Sequence, residues 1–273
     1  MDLGLYFNSV DFIRGPQKVV SNLLGGLKIL GIEPRVNETR EYTGCLQGGV
    51  PNYYTLPRNT LMGPNLVVTP DNNVVLWSSY KNFIVPCQWV KDLYQKYSLT
   101  SGTTSDIWSV GIDTDHYVPS SVNPRVDCLL YVKNRQDHEI IAVRKMLEKL
   151  GLTYTELHYG HYDNNNFLEL IHSCRFCFLL THTESQGIAY MEILSTNTPC
   201  FVWDQNNWNG HPATSTPYFS SKCGKISQDL NEKQFQFFLD NLNSYAPREY
   251  ILANHTLEIA AKNYINLVRS AAA

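Results

Sequence analysis

The second half of the chain alternates short apolar runs with amphipathic stretches. DCLLYV (Asp127 to Val132) has the length and continuity of a buried strand. HEIIAVRKMLEKLG follows it, with Ile140, Val143, Leu147 and Leu150 on one helical face and Gly151 as the stop. TYTELH predicts a further short strand, YGHYDNNN a loop, and the stretch from Phe167 to Ser173 a helix. FCFLLT predicts another buried strand, leading through a loop to a helix over Ala189 to Leu194, and PCFVWD closes the series as a strand. Strands and helices alternating at this rhythm predict a parallel sheet with both faces covered.

The first half carries a weaker form of the same pattern. GLYFNSV predicts a strand, DFIRGP a turn, and VVSNLLGGLKILG a helix with the stripe Val20, Leu23, Leu24, Leu27 and Leu30. NLVVTP, NVVLW and FIVP predict short strands, the last followed by a helix in QWVKDLYQKY. Glu41 to Thr60, rich in Gly, Pro, Asn and Tyr, predicts irregular structure, and SSVNPR (Ser120 to Arg125) a linker. The expected architecture is α/β, with two Rossmann-like domains at 1–121 and 122–255. A C-terminal helix and tail (256–273) follow, the helix itself running from about Thr256 to Arg269. The parallel sheets are expected to face an interdomain cleft, with ligand bound at the carboxyl ends of the strands.

Composition narrows the partners. Of 273 residues, 43 % are hydrophobic and 17 % charged, a globular balance. The formal net charge of -3 and the absence of a basic run argue against nucleic acid as a partner. The 17 Tyr suit stacking on rings or sugars, and equally suit an ordinary core. MDLGLYFNSVDF lacks the basic start and apolar run of a signal peptide, and no apolar stretch reaches the roughly 20 residues of a membrane span. Seven scattered Cys, with Cys174 and Cys177 lacking a second pair at zinc spacing, predict buried free thiols and a cytoplasmic protein.

The most informative segment is LLTHTESQGIAYMEILSTNTPCFVWD. A strand ends at Thr181, and a helix is expected to start between Ser185 and Gly187, with Ser185 able to cap it. The free N–H groups and dipole of a helix start favour an anion such as a diphosphate, and Gly187 admits close approach to the backbone. Glu184 and Glu192 stand eight positions apart. If mostly helical, that span covers ~12 Å, the reach from the sugar to the ribose of a nucleotide sugar. Carboxylates suit both ends because they accept hydrogen bonds from paired hydroxyls.

ESQGIAYME resembles the Glu, seven residues, Glu signature of retaining GT-B glycosyltransferases. The resemblance extends through PCFVWD, through IWSVGIDTDHYVP (similar to the family's interdomain segment) and through FIVPCQWVKDLYQKY. It covers Phe83 to Asp204 and, loosely, residues 1 to 30. It implies transfer of a hexosyl or pentosyl group from a UDP- or GDP-sugar to a glycan or other hydroxyl acceptor. Anomeric configuration is retained, with no essential metal and no cofactor beyond the donor. Glu184 then contacts the donor sugar, Glu192 the ribose, and the backbone of Ser185, Gln186, Gly187 and Ile188 faces sugar and diphosphate. The family's basic pair maps onto Lys133 and Arg135 in YVKNR, more closely spaced than usual; the other reading is two solvated surface cations. SVDFIRGPQK resembles the loop that closes over donor phosphates. There Gly15 and Pro16 fit the turn, Arg14 reaches phosphate, and Asp11 stands where inverting members place a general base. Tyr159, Gly160 and Tyr162 fall where related proteins hold the nucleobase, although plain loop packing explains them equally well. Many retaining members carry a first-domain His near the acceptor, whereas here the only His before the linker is His116.

Two other readings stay open. Asp113-Thr114-Asp115 matches the metal-holding Asp-x-Asp of GT-A transferases, whose hard oxygens bind Mg²⁺ or Mn²⁺ against a diphosphate. A non-catalytic GT-B-like module that binds glycan or nucleotide is the second, because the chain is short for a GT-B enzyme. No G-x-G-x-x-G follows a strand and no G-x-S-x-G is present, which argues against a dinucleotide oxidoreductase and a serine hydrolase.

Overall fold

A computed structural model of the chain describes residues 1–8, 15–50, 53–161 and 164–273. Asp11, Arg14 and Tyr162 lie outside the described residues. Two compact units are present: Met1–Gly111 together with His255–Ala273, and Ile112–Asn254.

The first unit runs β1 (Leu3–Tyr6), α1 (Gly15–Ile29), β2 (Arg35–Val36), β3 (Tyr42–Gln47), β4 (Leu61–Asn65), α2 (Val74–Ser79), β5 (Asn82–Val85), α3 (Gln88–Tyr94) and β6 (Thr104–Ile107). Its described strands form a six-stranded sheet in the order β2-β1-β3-β4-β5-β6, every pair parallel. Three expectations from the sequence change here. NVVLW is a helix start, because the Asn73 side chain accepts from the Leu76 N–H at 3.1 Å and caps α2. Val74 and Val75 stay exposed, while Trp77 is buried and stacks on Phe83 at 4.0 Å between ring centroids. The strand expected in NLVVTP ends at Asn65. Beyond it the turn chemistry of Thr69-Pro70-Asp71-Asn72 takes over, with the Thr69 N–H donating to Asn72 Oδ1 at 2.9 Å. The stretch Glu41 to Thr60, expected to be irregular, contains β3, a buried central strand.

The second unit follows the predicted rhythm closely. It runs β7 (Val126–Lys133), α4 (Asp137–Lys149), β8 (Tyr154–His158), α5 (Asn164–His172), β9 (Cys174–Thr181), α6 (Ile188–Ser195), β10 (Cys200–Trp203), β11 (Gly224–Ser227), α7 (Glu232–Asp240) and α8 (Pro247–Asn254). The sheet order is β11-β10-β9-β7-β8, again with every described pair parallel. Both faces are covered, which explains why β7 and β9 read as near-continuous apolar runs. On one face Phe178, Phe201, Phe235 and Phe238 join the apolar side of α4 in a single core.

The division between the units falls after Gly111, ahead of the linker expected at Ser120 to Arg125. The reason is hydrogen bonding. Arg248 donates to the carbonyls of Thr114 (3.0 Å) and Tyr117 (2.9 Å), and Ser195 Oγ also donates to Tyr117 O at 2.7 Å. Residues 112 to 118 are thereby tied to α6 and α8.

The last helix, α9 (Leu257–Ala272), returns to the first unit and packs on α1, β3 and β4. It docks where side chains are missing. A Cβ on Gly26 would collide with the Leu257 carbonyl, and one on Gly44 with the Tyr264 hydroxyl. Trp108 Nε1 donates to Ala260 O at 2.9 Å, and His255 Nδ1 lies 3.0 Å from Ser109 Oγ, sealing the point of return. All seven Cys are free and buried; burial pushes the Cys45 and Cys87 thiols up to about 12, which makes them poor nucleophiles.

The docking of α9 has measurable consequences for stability. Gly44→Ala should destabilise the protein by about 1–3 kcal/mol in urea unfolding, through overpacking against Tyr264. Tyr264 Oη is buried with no hydrogen-bond partner among the described residues, so Tyr264→Phe should cost little alone and should rescue Gly44→Ala in the double variant. Burial lowers the His255 pKa from 6.5 to about 4. The unfolded chain therefore binds the proton first, and stability present above pH 6.5 is lost as pH falls towards 4, at about 1.4 kcal/mol per pH unit. Urea curves at pH 7 and pH 5 should show a smaller acid loss for His255→Gln than for wild type.

Candidate functional site

In an open parallel sheet the ligand crevice lies beyond the carboxyl ends of two neighbouring strands whose connections leave in opposite directions. In the second unit those strands are β7, which continues to β8 on one side, and β9 on the other. Lys133 ends β7 directly beside Thr181, which ends β9. Three residues past Thr181 stands Glu184, and its Oε1 lies 2.7 Å from Lys133 Nζ. The two side chains retain 18 % and 14 % of their exposure, so the pair is shielded but reachable. Burial pushes the Glu184 carboxyl up from its ordinary value, and the Lys133 ammonium pulls against that rise. Lys133 Nζ also sits 4.3 Å from the centre of the Tyr159 ring, which is held beyond β8 by its N–H on Val132 O.

The two cations of YVKNR have different tasks. Arg135 is buried and donates through Nε and Nη2 to both carboxylate oxygens of Glu139, at 2.9 and 2.7 Å. Its Nη1 donates to the carbonyls of Thr181 (3.2 Å) and Trp203 (2.9 Å), and its guanidinium lies over the Trp203 ring. Four of the five guanidinium N–H donors are thus committed inside the protein. Desolvation would raise the Glu139 carboxyl, but the hydrogen bonds from Arg135 and the Gln136 N–H together with the Arg135 charge outweigh it and hold it below its ordinary value. Arg135 is a structural anchor at the carboxyl edge of the sheet and has little left to offer a diphosphate.

The loop after β9 is moulded by its neighbours. Helix α6 begins at Ile188, and its N-cap is Gly187 at φ 69°, a left-handed conformation; no side chain caps it, so the role expected of Ser185 is absent. A Cβ on Gly187 would enter the Tyr190 ring, and the Tyr190 hydroxyl accepts from the Tyr218 N–H at 2.8 Å. Ser185 is exposed, whereas Gln186 and Ile188 are buried. Glu192 lies inside α6 at 2 % exposure and offers almost no surface to a ribose. Only half of the span from Glu184 to Glu192 is helical, since α6 starts at its midpoint.

Other expected residues lie elsewhere. Gly15 opens α1 in the first unit and is exposed, and a Cβ there would meet none of the described residues within 4 Å. Asp113 Oδ1 accepts from the N–H groups of Asp115 and His116, at 3.2 and 3.0 Å, so the Asp-x-Asp motif is a turn. Among the described residues no cluster of three His, Cys, Asp or Glu side chains could hold a metal ion. The sequence reading missed Glu139, Asp204 and Thr214. An acid four residues beyond Arg135 was the available signal for the first, and an acid ending a buried strand for the second; Thr214 gave none.

Two α/β sheets, of six and five described strands with every described pair parallel, define the architecture. It is shared along the whole chain with a solved structure, the apo form of lipopolysaccharide outer core galactosyltransferase WaaB, at a TM-score of 0.58, 10 % identity and 99 % coverage of both chains. The chain has the GT-B glycosyltransferase fold. The same GT-B fold relates it to sucrose-phosphate synthase from Thermosynechococcus elongatus, at a TM-score of 0.54 and 11 % identity, over 93 % of this chain and 77 % of that one. The catalytic domain of starch synthase IV from Arabidopsis thaliana, bound to ADP and acarbose, aligns at 0.51 and 12 % identity, over 99 % and 73 %. No protein-family model matches the sequence. No curated protein matches it either. At these identities the likeness is one of fold. No helix among the described residues is long and apolar enough to cross a membrane.

The anchor and the surface pairs should separate cleanly in stability measurements. Arg135→Met strands the buried Glu139 carboxylate and should cost about 3–5 kcal/mol in urea unfolding. Arg144 binds Glu156 at the surface with its own side chain 39 % exposed, so Arg144→Met should cost under about 1 kcal/mol.

Proposed function

We propose that this protein transfers a sugar from a nucleotide diphosphate donor, a UDP- or GDP-sugar, to a hydroxyl acceptor with retention of configuration. The observation that carries the reading is the Lys133–Glu184 pair at the switch point of the second sheet. A diphosphate seated there meets the Lys133 ammonium and the N–H groups that open α6, which an α-helix leaves without internal partners. A cation aimed at charge that grows on the leaving diphosphate lowers the barrier to its departure, without requiring a metal ion. Glu184 then faces the sugar, where a carboxylate accepts from ring hydroxyls. No side chain need form a covalent intermediate, because the leaving phosphate can itself take the acceptor proton. The GT-B fold supports the assignment, since the galactosyltransferase, the sucrose-phosphate synthase and the starch synthase are named for glycosyl transfer.

A thermal-shift screen of UDP-glucose, UDP-galactose and GDP-mannose, with and without EDTA, tests the donor class. A ligand that binds only the native state raises its apparent stability, and one of these should do so equally in both conditions. Stabilisation lost with EDTA would contradict the metal-independent reading, and no stabilisation by any of the three would contradict the donor assignment. Glu184→Gln should reduce transfer by roughly 10²- to 10³-fold while leaving the melting temperature close to wild type. NMR of the product should show the donor's anomeric configuration; inversion would refute retention.

A further inference from the structure

The segment that leaves β10 holds the loop that carries Glu184. Asp204, 4 % exposed, follows β10 directly, and its own N–H donates to Ser227 O at 2.8 Å on β11. Its Oδ1 accepts from the N–H groups of Asn206 (2.9 Å) and Ser215 (3.3 Å), and its Oδ2 accepts from Thr214 Oγ1 at 2.5 Å. Thr214 Oγ1 in turn accepts from the Thr216 N–H at 3.1 Å. The Thr214 carbonyl then accepts the backbone N–H of Glu184 at 3.1 Å. A continuous hydrogen-bonded path therefore runs from a buried carboxylate just past β10, through one threonine, to the backbone of the residue whose side chain meets Lys133. The hydroxyl, with its two bonds, fixes the peptide whose carbonyl receives Glu184.

We infer that Asp204 and Thr214 are positioning residues that set the Glu184 carboxylate against Lys133. The inference rests on the donor-site reading of Glu184. A charge-assisted hydrogen bond from a hydroxyl to a buried carboxylate is short and directional. Removing it frees the Thr214 peptide to rotate, and the Glu184 backbone moves with it. Misplacement of a reacting contact by about 1 Å costs up to 10²-fold in rate. Glycosyl transfer should therefore be sensitive to a hydroxyl that touches neither donor nor acceptor.

Thr214→Val keeps the shape of the side chain and the carbonyl but removes the hydroxyl; Thr214→Ser keeps the hydroxyl. The titration of the Glu184 side chain is followed by carboxyl-carbon NMR in ¹³C-Glu-labelled full-length protein, assigned with Glu184→Gln. Transfer from UDP-glucose, UDP-galactose or GDP-mannose is measured in parallel. In Thr214→Val the Glu184 titration should move to higher pH, because a looser Lys133 contact pulls it down less, and kcat should fall about tenfold or more with the donor KM within threefold. Thr214→Ser should restore both. Asp204→Asn, which keeps one acceptor oxygen, should move both in the direction of Thr214→Val. A Glu184 titration and a kcat unchanged in Thr214→Val would overturn the inference. Undiminished transfer by Glu184→Gln would instead overturn the donor-site reading on which it rests.

Discussion

One buried guanidinium holds together the carboxyl ends of three strands, and the site is built on the edge it fixes. Arg135 follows β7, reaches the last carbonyl of β9 and the last of β10, and is itself oriented by both oxygens of Glu139 at the start of α4. Peptide carbonyls at a strand end have no ladder partner and must find another. Here a single charged side chain supplies it for two strands. A guanidinium suits this work where an ammonium would not, because its planar fork addresses a carboxylate and two carbonyls at once. Lys133, two residues earlier, and Glu184, three residues past Thr181, inherit their positions from this anchor.

Around that edge the protein spends rigidity on a short loop. Gly187 turns the chain left-handed into α6 over the face of Tyr190, and Tyr190 is tied to the backbone of Tyr218. Glu184 is tied to Thr214, and Thr214 to Asp204. The segment after β10 thus holds both the loop after β9 and the first turn of α6. A carboxylate and an ammonium that are mostly withdrawn from water interact more strongly than they would at the surface, and the ammonium draws down the carboxyl that burial raises. The arrangement is therefore electrically poised as well as held in place.

The first unit is completed from the far end of the chain. The returning helix α9 packs on α1, β3 and β4 of the unit formed by Met1–Gly111. The glycines at 26 and 44 make sense from that helix and not from their own neighbours. Read locally, Gly44 in TGCLQ weakens a strand; in the fold it is the space occupied by the Tyr264 hydroxyl. This explains why the interval around β3 looks irregular in the sequence although the strand is buried and central.

The strands β7 to β10 and helices α4 to α6 are legible in the sequence because a parallel sheet covered on both faces demands unbroken apolar runs and an apolar helical stripe. The short strands of the first unit are not, since four or five residues carry too little pattern to outweigh caps and turns such as those at Asn73 and Thr69. For the site, sequence alone determined that acidic and basic groups would gather where predicted strands end, around Lys133, Arg135 and Glu184. Tertiary structure decided which of them face outward. Two cations two residues apart look alike on paper, yet one is enclosed by a carboxylate, two carbonyls and an indole, and the other meets Glu184 at the rim. The difference lies in what surrounds each charge, and those surroundings come from β9, β10 and α4, distant segments that only folding brings together.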